Sequence, residues 1–350
     1  MGLPNITVEF LTKAKTAITR SERGIVCLVV DDTTKETAVS EYSALSEVLS
    51  TDYTAENYAA IEDAFTDGPT KVYVVRIPDS KAFTDIEATL DTLKFNWLAY
   101  IGQTQTAVPT YVESRNAKPA AVPIKAVVYN QPADDPHVVN FTNTKVKRKD
   151  DAAEIDGYKY LGRIAGMLAA LPLDRSSTYY IFNDLESVVD VADADDAVDD
   201  GEFVLFNDYG TVRVARAVNS ATTVDNEDLK KITIVEGMDL TKEDIITSFK
   251  ESYIGKYKNT VDNQTVFMAA VNTYFRQLEI EDVLSRDFDN LAEIDAETQR
   301  KAWISAGKTE AMDWDTETVK KNPYKTYVYL QANVRFSDAI EDLQFNVYMN

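Results

Sequence analysis

The chain has a single cysteine and a single histidine among 350 residues. One thiol excludes an intramolecular disulfide framework, and the two residues together are too few for a Cys/His zinc cluster. No apolar run approaches the ~18 residues of a membrane-spanning helix, so no membrane contact is expected. The opening Met1-Gly2-Leu3-Pro4-Asn5 lacks the charged-then-apolar layout of a secretion signal, and export by that route is not expected. Basic charge is in deficit: 36 Lys and Arg against 58 Asp and Glu leave a net charge of −22. Such a chain repels nucleic acid, and no basic patch stands out in it. What is present is ordinary for a folded protein. Hydrophobic residues make up 45% and charged residues 27%, which excludes wholesale disorder. The length suits about two domains of roughly 150 residues each.

After a polar, basic stretch from Lys13 to Arg23, Ile25-Val26-Cys27-Leu28-Val29-Val30 is continuously apolar and β-branched. That reads as a strand buried on both faces, as in a sheet covered by helices. A strand–helix rhythm follows. Helical patterns run near Ala38–Leu49, Ala55–Phe65, Asp85–Leu93 and Ala107–Asn116. Strand patterns run at Val72–Ile77, Trp97–Ile101 and Ile124–Tyr129. The alternation implies βαβ units and a mostly parallel sheet. Past Asp150, Tyr160, Leu161, Ile164, Leu168 and Leu171 form a helical face. Gly162 and Gly166 lie four apart on that helix, where another backbone can approach closely. Asn207-Asp208-Tyr209-Gly210 signals a hairpin between Phe203–Phe206 and Thr211–Val218. The stretch after Ser220 is polar and reads as a boundary. A long helix covers Thr265–Leu284, with Phe267, Val271, Tyr274 and Leu278 on one stripe.

Candidate chemistry is thin, and no catalytic residue, metal ligand or cofactor is nominated. A dinucleotide site needs glycines after the first strand, yet Asp31-Asp32-Thr33-Thr34 stands there, and two carboxylates repel phosphate. Gly307-Lys308-Thr309 resembles the end of a phosphate loop, but Ala302 occupies the position of its first glycine. The acidic run from Asp190 to Glu202 crowds Asp193, Asp195, Asp196, Asp199 and Asp200. An EF-hand beginning at Asp193 would need an oxygen ligand and then glycine where Ala197 and Val198 stand. The run reads as a solvated acidic helix, with a weak, irregular cation site left open. His137 lies beside Asp134, Asp135 and Pro136 in what reads as an exposed loop. No Gly-x-Ser-x-Gly elbow offers it a serine. Cys27 reads as a small core residue inside its strand.

The two ends carry the stronger signal. Ile6, Val8 and Phe10 alternate with Thr7 and Glu9. Val328, Leu330, Ala332, Val334 and Phe336 alternate with Tyr329, Gln331, Asn333 and Arg335, and Phe345, Val347 and Met349 continue the alternation after a polar break. Two readings are open. The strands pair within their own subunit, as terminal strands often do, or each completes the sheet of a neighbour by β-augmentation. Residues 13–23 and 337–342 then act as tethers, and contacts that do not close on themselves generate rings, helices or tubes.

The opening Gly2-Leu3-Pro4-Asn5-Ile6-Thr7-Val8-Glu9-Phe10 resembles the start of a contractile phage tail sheath protein, and Arg23-Gly24-Ile25-Val26 resembles that family's entry into its first buried strand. The stretch from Tyr329-Leu330-Gln331-Ala332-Asn333-Val334-Arg335-Phe336 to Asp342 is similar to the sheath C-terminus of PBSX-like prophages and clostridial R-type bacteriocins of the diffocin kind. The helix with Gly162-Arg163-Ile164-Ala165-Gly166-Met167 and the hairpin at Gly210 also fit.

The resemblance implies an α/β and α+β chain. An α/β middle domain with a mostly parallel sheet joins an α+β C-terminal domain carrying a β-hairpin and extended terminal strand arms. The implied segments are an N-terminal arm and linker at 1–22, an outer α/β domain at 23–222, an inner C-terminal domain at 223–342 and a C-terminal arm at 343–350. It implies a structural subunit that stacks as hexameric rings around a tail tube and contracts. Its partners are itself, the tube, the baseplate and the tail-terminator or collar proteins. Assembly is expected in the bacterial cytoplasm, in a phage tail or a released bacteriocin particle. By the same analogy Ile6, Val8 and Phe10 form one donated strand, Phe345, Val347 and Met349 the other, and Val328–Phe336 the acceptor. Lys13, Lys15, Arg20 and Arg23 are expected to meet acidic faces of neighbours, since subunits of like charge must pack closely. The alternative is a soluble α/β enzyme or ligand-binding protein whose terminal strands stay within the subunit.

Overall fold

The computed structural model describes residues 17–349. They fold as two compact units. One takes Ser21–Glu243 together with residues 336–349, and the other takes residues 17–20 together with Asp244–Arg335.

The first unit is built on β1 (Ile25–Asp31), β2 (Val39–Tyr42), β3 (Lys71–Ile77), β4 (Trp97–Ile101), β5 (Lys125–Tyr129) and β6 (Val138–Phe141). Strands β7 (Lys145–Arg148), β8 (Ile155–Asp156), β9 (Leu185–Val188), β10 (Glu202–Phe203), β11 (Leu205–Asp208) and β12 (Thr211–Val214) follow. Its helices are α1 (Ala55–Phe65), α2 (Glu87–Leu90), α3 (Ala107–Asn116), α4 (Leu161–Ala170) and α5 (Ala194–Asp199). Seven strands make one sheet in the order β10-β6-β5-β4-β1-β3-β2, parallel throughout except for β2. Central β1 sends Val26, Leu28 and Val30 into the core under α1 and α4, and Ile25, Cys27 and Val29 into the core under α2 and α3. That two-sided burial is why its sequence is apolar without alternation. Burial also pushes the Cys27 thiol up, far from a reactive thiolate.

Gly162 and Gly166 let α4 lie directly on α1. A Cβ at Gly162 would stand 2.6 Å from the Ala60 carbonyl oxygen, and one at Gly166 would stand 2.2 Å from that of Ala64. The hairpin forms with Tyr209 and Gly210 both at positive φ, the geometry of a type I′ turn. It belongs to this α/β unit. The region near Ala38–Leu49 is not a helix: Val39–Tyr42 forms β2, the edge strand, antiparallel to β3, and short 3-10 turns follow. Pairing with an exposed edge outweighs local helical periodicity here.

The second unit contains most of the final elements: α7 (Val261–Ile280), β13 (Leu291–Ile294), α8 (Ala296–Ser305), α9 (Thr316–Lys320) and β14 (Leu330–Asn333). They are preceded by α6 (Ile232–Ser252), and the division between the units falls inside α6 at Glu243/Asp244, not after Thr222. The helix expected at Thr265–Leu284 begins earlier, because the Thr260 side chain caps it by accepting from the Asn263 N–H at 3.3 Å. Gly307 ends α8 at φ +90, and the Lys308 ammonium lies 4.9 and 4.7 Å from the ring centres of Trp303 and Trp314. That segment is a helix stop, not a phosphate loop. Among the described residues no helix is long and apolar enough to cross a membrane.

Candidate interaction site

In the second unit β13 and β14 form a two-stranded antiparallel sheet, with Ala292 opposite Ala332 and Ile294 opposite Leu330. The two outer edges of this sheet are not equivalent. On α7, Asn272 turns its amide to β13: its Nδ2 donates to the Ala292 carbonyl at 3.1 Å, and its Oδ1 accepts from the Ala292 N–H at 2.7 Å. Both backbone groups of Ala292 therefore point away from β14 and are sealed. Alternation in an antiparallel pair then turns the N–H and C=O groups of Leu330 and Ala332 outward on the far side of β14. The Asp295 N–H donating to the Tyr329 carbonyl at 3.0 Å fits the same phase. Among the described residues no third strand pairs there. The outer edge of β13 is thus blocked at Ala292 by Asn272, whereas the outer edge of β14 is open. Asn272 escaped sequence reading; its trace was a carboxamide next to Val271 on an otherwise apolar helical stripe.

The face of β14 beside that open edge is apolar and uncovered. Val328, Leu330 and Ala332 line a groove of about 340 Å³ whose far walls are Phe249 of α6 and Phe267, Val271 and Phe275 of α7. The acceptor strand expected at Val328–Phe336 is paired only over Leu330–Asn333. Its inward-reading residues are not buried: Val328, Leu330, Val334 and Phe336 are half-buried and Ala332 is exposed.

Ile6, Val8 and Phe10 fall outside the described residues, as do Lys13 and Lys15. Phe345, Val347 and Met349 belong with the α/β unit, are 78%, 68% and 95% exposed, and pair with no strand among the described residues.

Arg20 and Arg23 find acids within the chain. Arg20 pairs with Glu281 and lies 3.6 Å from Asp244, and Arg23 Nη2 lies 2.9 Å from Glu236. His137 is not an exposed loop residue either. Its Nε2 lies 3.1 Å from Asp239 Oδ1, its Nδ1 lies 3.3 Å from Asp135 Oδ1, and Lys125 Nζ meets the other Asp239 oxygen at 2.8 Å. Burial depresses the His137 pKa, but the bonds to Asp135 and Asp239 outweigh it and raise it to about 9. This is an ion-pair network pinning the start of α6 to the sheet; Ser220 joins it through the Asp135 backbone, not through the His137 ring, its Oγ donating to the Asp135 carbonyl at 3.0 Å and accepting from the Asp135 N–H at 3.3 Å. Asp32, at the end of β1, accepts from Asn57 Nδ2 at 2.8 Å and from the Thr54 and Thr34 N–H groups at 3.0 and 2.9 Å. It organises its own loop. In the acidic run, Asp193 caps α5 by accepting from Asp195 and Asp196 N–H groups.

Residues 224–350 match the phage tail sheath C-terminal domain family. The tail sheath protein of Clostridium phage phiCD119 is 31% identical over a 366-residue alignment that covers 99% of each chain. The chain belongs to the tail sheath family. As a sheath protein it is a structural component of a contractile phage-type tail, not an enzyme, and the enzyme alternative falls. Solved structures share its fold at much lower identity. The contracted helical sheath of the anti-feeding prophage matches with a TM-score of 0.73 at 12% identity, covering 100% of both chains. The sheath tail protein of Desulfitobacterium hafniense matches with a TM-score of 0.68 at 13% identity, covering 83% of this sheath protein and 94% of that chain.

Proposed function

We propose that this sheath subunit polymerises as stacked six-membered rings around a tail tube, and that both of its termini reach into neighbours as donated strands. The open edge of β14 beside its uncovered apolar groove is the observation that carries the reading. An incoming strand satisfies the outward N–H and C=O groups of Leu330 and Ala332 and covers Val328 and Leu330 in the same step. Because Asn272 seals β13, the first strand to dock adds to β14, and it offers its own outer edge to the second. Phe345, Val347 and Met349 form one donor; Ile6, Val8 and Phe10 form the other. The baseplate and a collar or terminator protein end the polymer, and contraction drives the tube through a target envelope. Assembly takes place in the cytoplasm of the producing bacterium.

Negative-stain electron microscopy of the full chain, beside versions lacking residues 1–12 or 343–350, tests the reading. Tubes or rings that vanish on trimming either end are expected. A polymer that persists after either end is trimmed would refute strand exchange through that end.

A further inference from the structure

Between β14 and the exposed C-terminal residues runs a short segment, 337–342, held on the α/β unit almost entirely by side chains. Glu341 Oε1 accepts from Thr178 Oγ1 at 2.6 Å and from Ser176 Oγ at 3.0 Å. Arg216 Nη2 lies 2.7 Å from Asp342 Oδ1, and Arg216 Nη1 lies 3.7 Å from Glu341 Oε2. Lys231 pairs with Asp338. These contacts of residues 338–342 with the α/β unit all run through side chains. Ile340 is 99% exposed, so the segment has no apolar anchor at its centre.

The seating is incomplete. A cavity of about 520 Å³ opens between Glu341 and Asp342 on one side and Asp195 and Asp199 of α5 on the other. Four carboxylates line it with one guanidinium, Arg216. Two of the three ion pairs are solvent-exposed: Arg216 and Asp342 side chains are 40% and 79% accessible, and those of Lys231 and Asp338 are 33% and 43%, while Glu341 is 13% accessible. Such pairs are individually weak and screened by salt.

We propose that residues 337–342 are a releasable strap that stores slack in the C-terminal arm. Clamped, the arm leaves the subunit at Leu343. Released, it leaves at Ser337, and six further residues extend its reach by up to ~20 Å at ~3.3 Å per residue. A linked subunit can then move relative to its neighbour without undocking the strand, because the ion pairs open before the main-chain ladder does. This inference rests on the strand-exchange reading for its purpose, but not for its existence.

Spin labels at Ile340→Cys and Val189→Cys report the strap in the full chain, since Cys27 is fully buried and escapes labelling. Free subunits at low salt should give one narrow distance peak. The triple variant Asp338→Asn/Glu341→Gln/Asp342→Asn, or Arg216→Gln alone if the triple does not fold, should broaden it, as should 1 M salt. In sheaths assembled with excess unlabelled subunits, extended and contracted states should differ: one keeps the narrow peak, the other shows distances longer by up to ~20 Å. An unchanged peak in the charge variants, or the same narrow peak in both sheath states, overturns the strap. Survival of the polymer after deletion of 343–350 overturns strand exchange instead, and leaves the free-subunit distance to be read on its own.

Discussion

Phe345→Ala separates the assembly role of the C-terminal arm from the stability of the subunit. In the subunit Phe345 is 78% exposed. Complete burial of a phenylalanine side chain is worth ~1.5–3 kcal/mol, so moving the exposed part into a neighbour's groove contributes about 2 kcal/mol. At ~1.4 kcal/mol per decade, its loss weakens each subunit–subunit link about 30-fold. The subunit itself loses little, because exposed substitutions stay within ~0.5 kcal/mol. Sedimentation of polymer against subunit concentration should show the critical concentration rising about 30-fold at an unchanged melting temperature. A lowered melting temperature with unchanged assembly would mean that Phe345 packs at home, and the argument would fail.

Gly166→Ala puts a methyl group 2.2 Å from the Ala64 carbonyl oxygen and forces α1 and α4 apart; a loss of ~1–3 kcal/mol in urea unfolding is expected, and a neutral result would contradict the close approach. His137 holds its proton more tightly folded, at about 9, than at its ordinary 6.5. The raised pKa stabilises fully below 6.5, and up to ~3 kcal/mol is lost as pH rises through 9. Urea midpoints at pH 6.5 and 9.5 should therefore differ for the native chain and converge for His137→Gln. Asn272→Ala leaves the Ala292 N–H and C=O without their partner, at ~1–3 kcal/mol in thermal melts; a stable variant with undisturbed amide exchange at Ala292 would count against the sealed edge. Lys13→Glu/Lys15→Glu should raise the critical concentration at low salt and less at 0.5 M, with the melting temperature constant; no change at either salt refutes a charge contact there.

Most of the α/β unit was legible in the sequence because its core is apolar. The continuous apolar run at Ile25–Val30 reads as a strand covered on both sides, and the glycine pair at 162 and 166 announces a close helix contact. What stayed hidden was held by charge. Helix α6 reads as a polar boundary because Glu236, Asp239, Glu243 and Asp244 stand on it, yet all four are buried. Lys125, Arg23 and Lys94 neutralise the first three, so carboxylates occupy positions where hydrophobic periodicity would normally show. His137 reads as an exposed loop residue for the same reason: its partner, Asp239, lies 102 residues away. Strand β2 was lost to a local pattern that edge pairing overrode. The candidate site was half legible. The alternation at Val328–Phe336 located β14, but only the bidentate Asn272 amide reveals which edge of the sheet is free.

The charge distribution bears on how subunits of net charge −22 could be joined at all. Residues 343–350 contain no charged side chain, and neither does Leu330–Val334. Residues 1–12 contain one, Glu9. Segments proposed to dock are thus neutral in a chain whose remainder is strongly acidic. Docking through them adds apolar burial and main-chain hydrogen bonds without bringing like charges face to face. Repulsion between the acidic bodies acts through solvent and is screened within about 10 Å at 0.1 M salt. Salt should therefore favour assembly through the bodies while leaving the docked strands almost indifferent. Arg20 and Arg23 are occupied within the chain, so reversing them would disturb the subunit as well as any contact, and Lys13 with Lys15 gives the cleaner measurement. Assembly that weakens steadily as salt rises, with Lys13 and Lys15 already reversed, would show that opposite charges, not neutral strands, hold the subunits together.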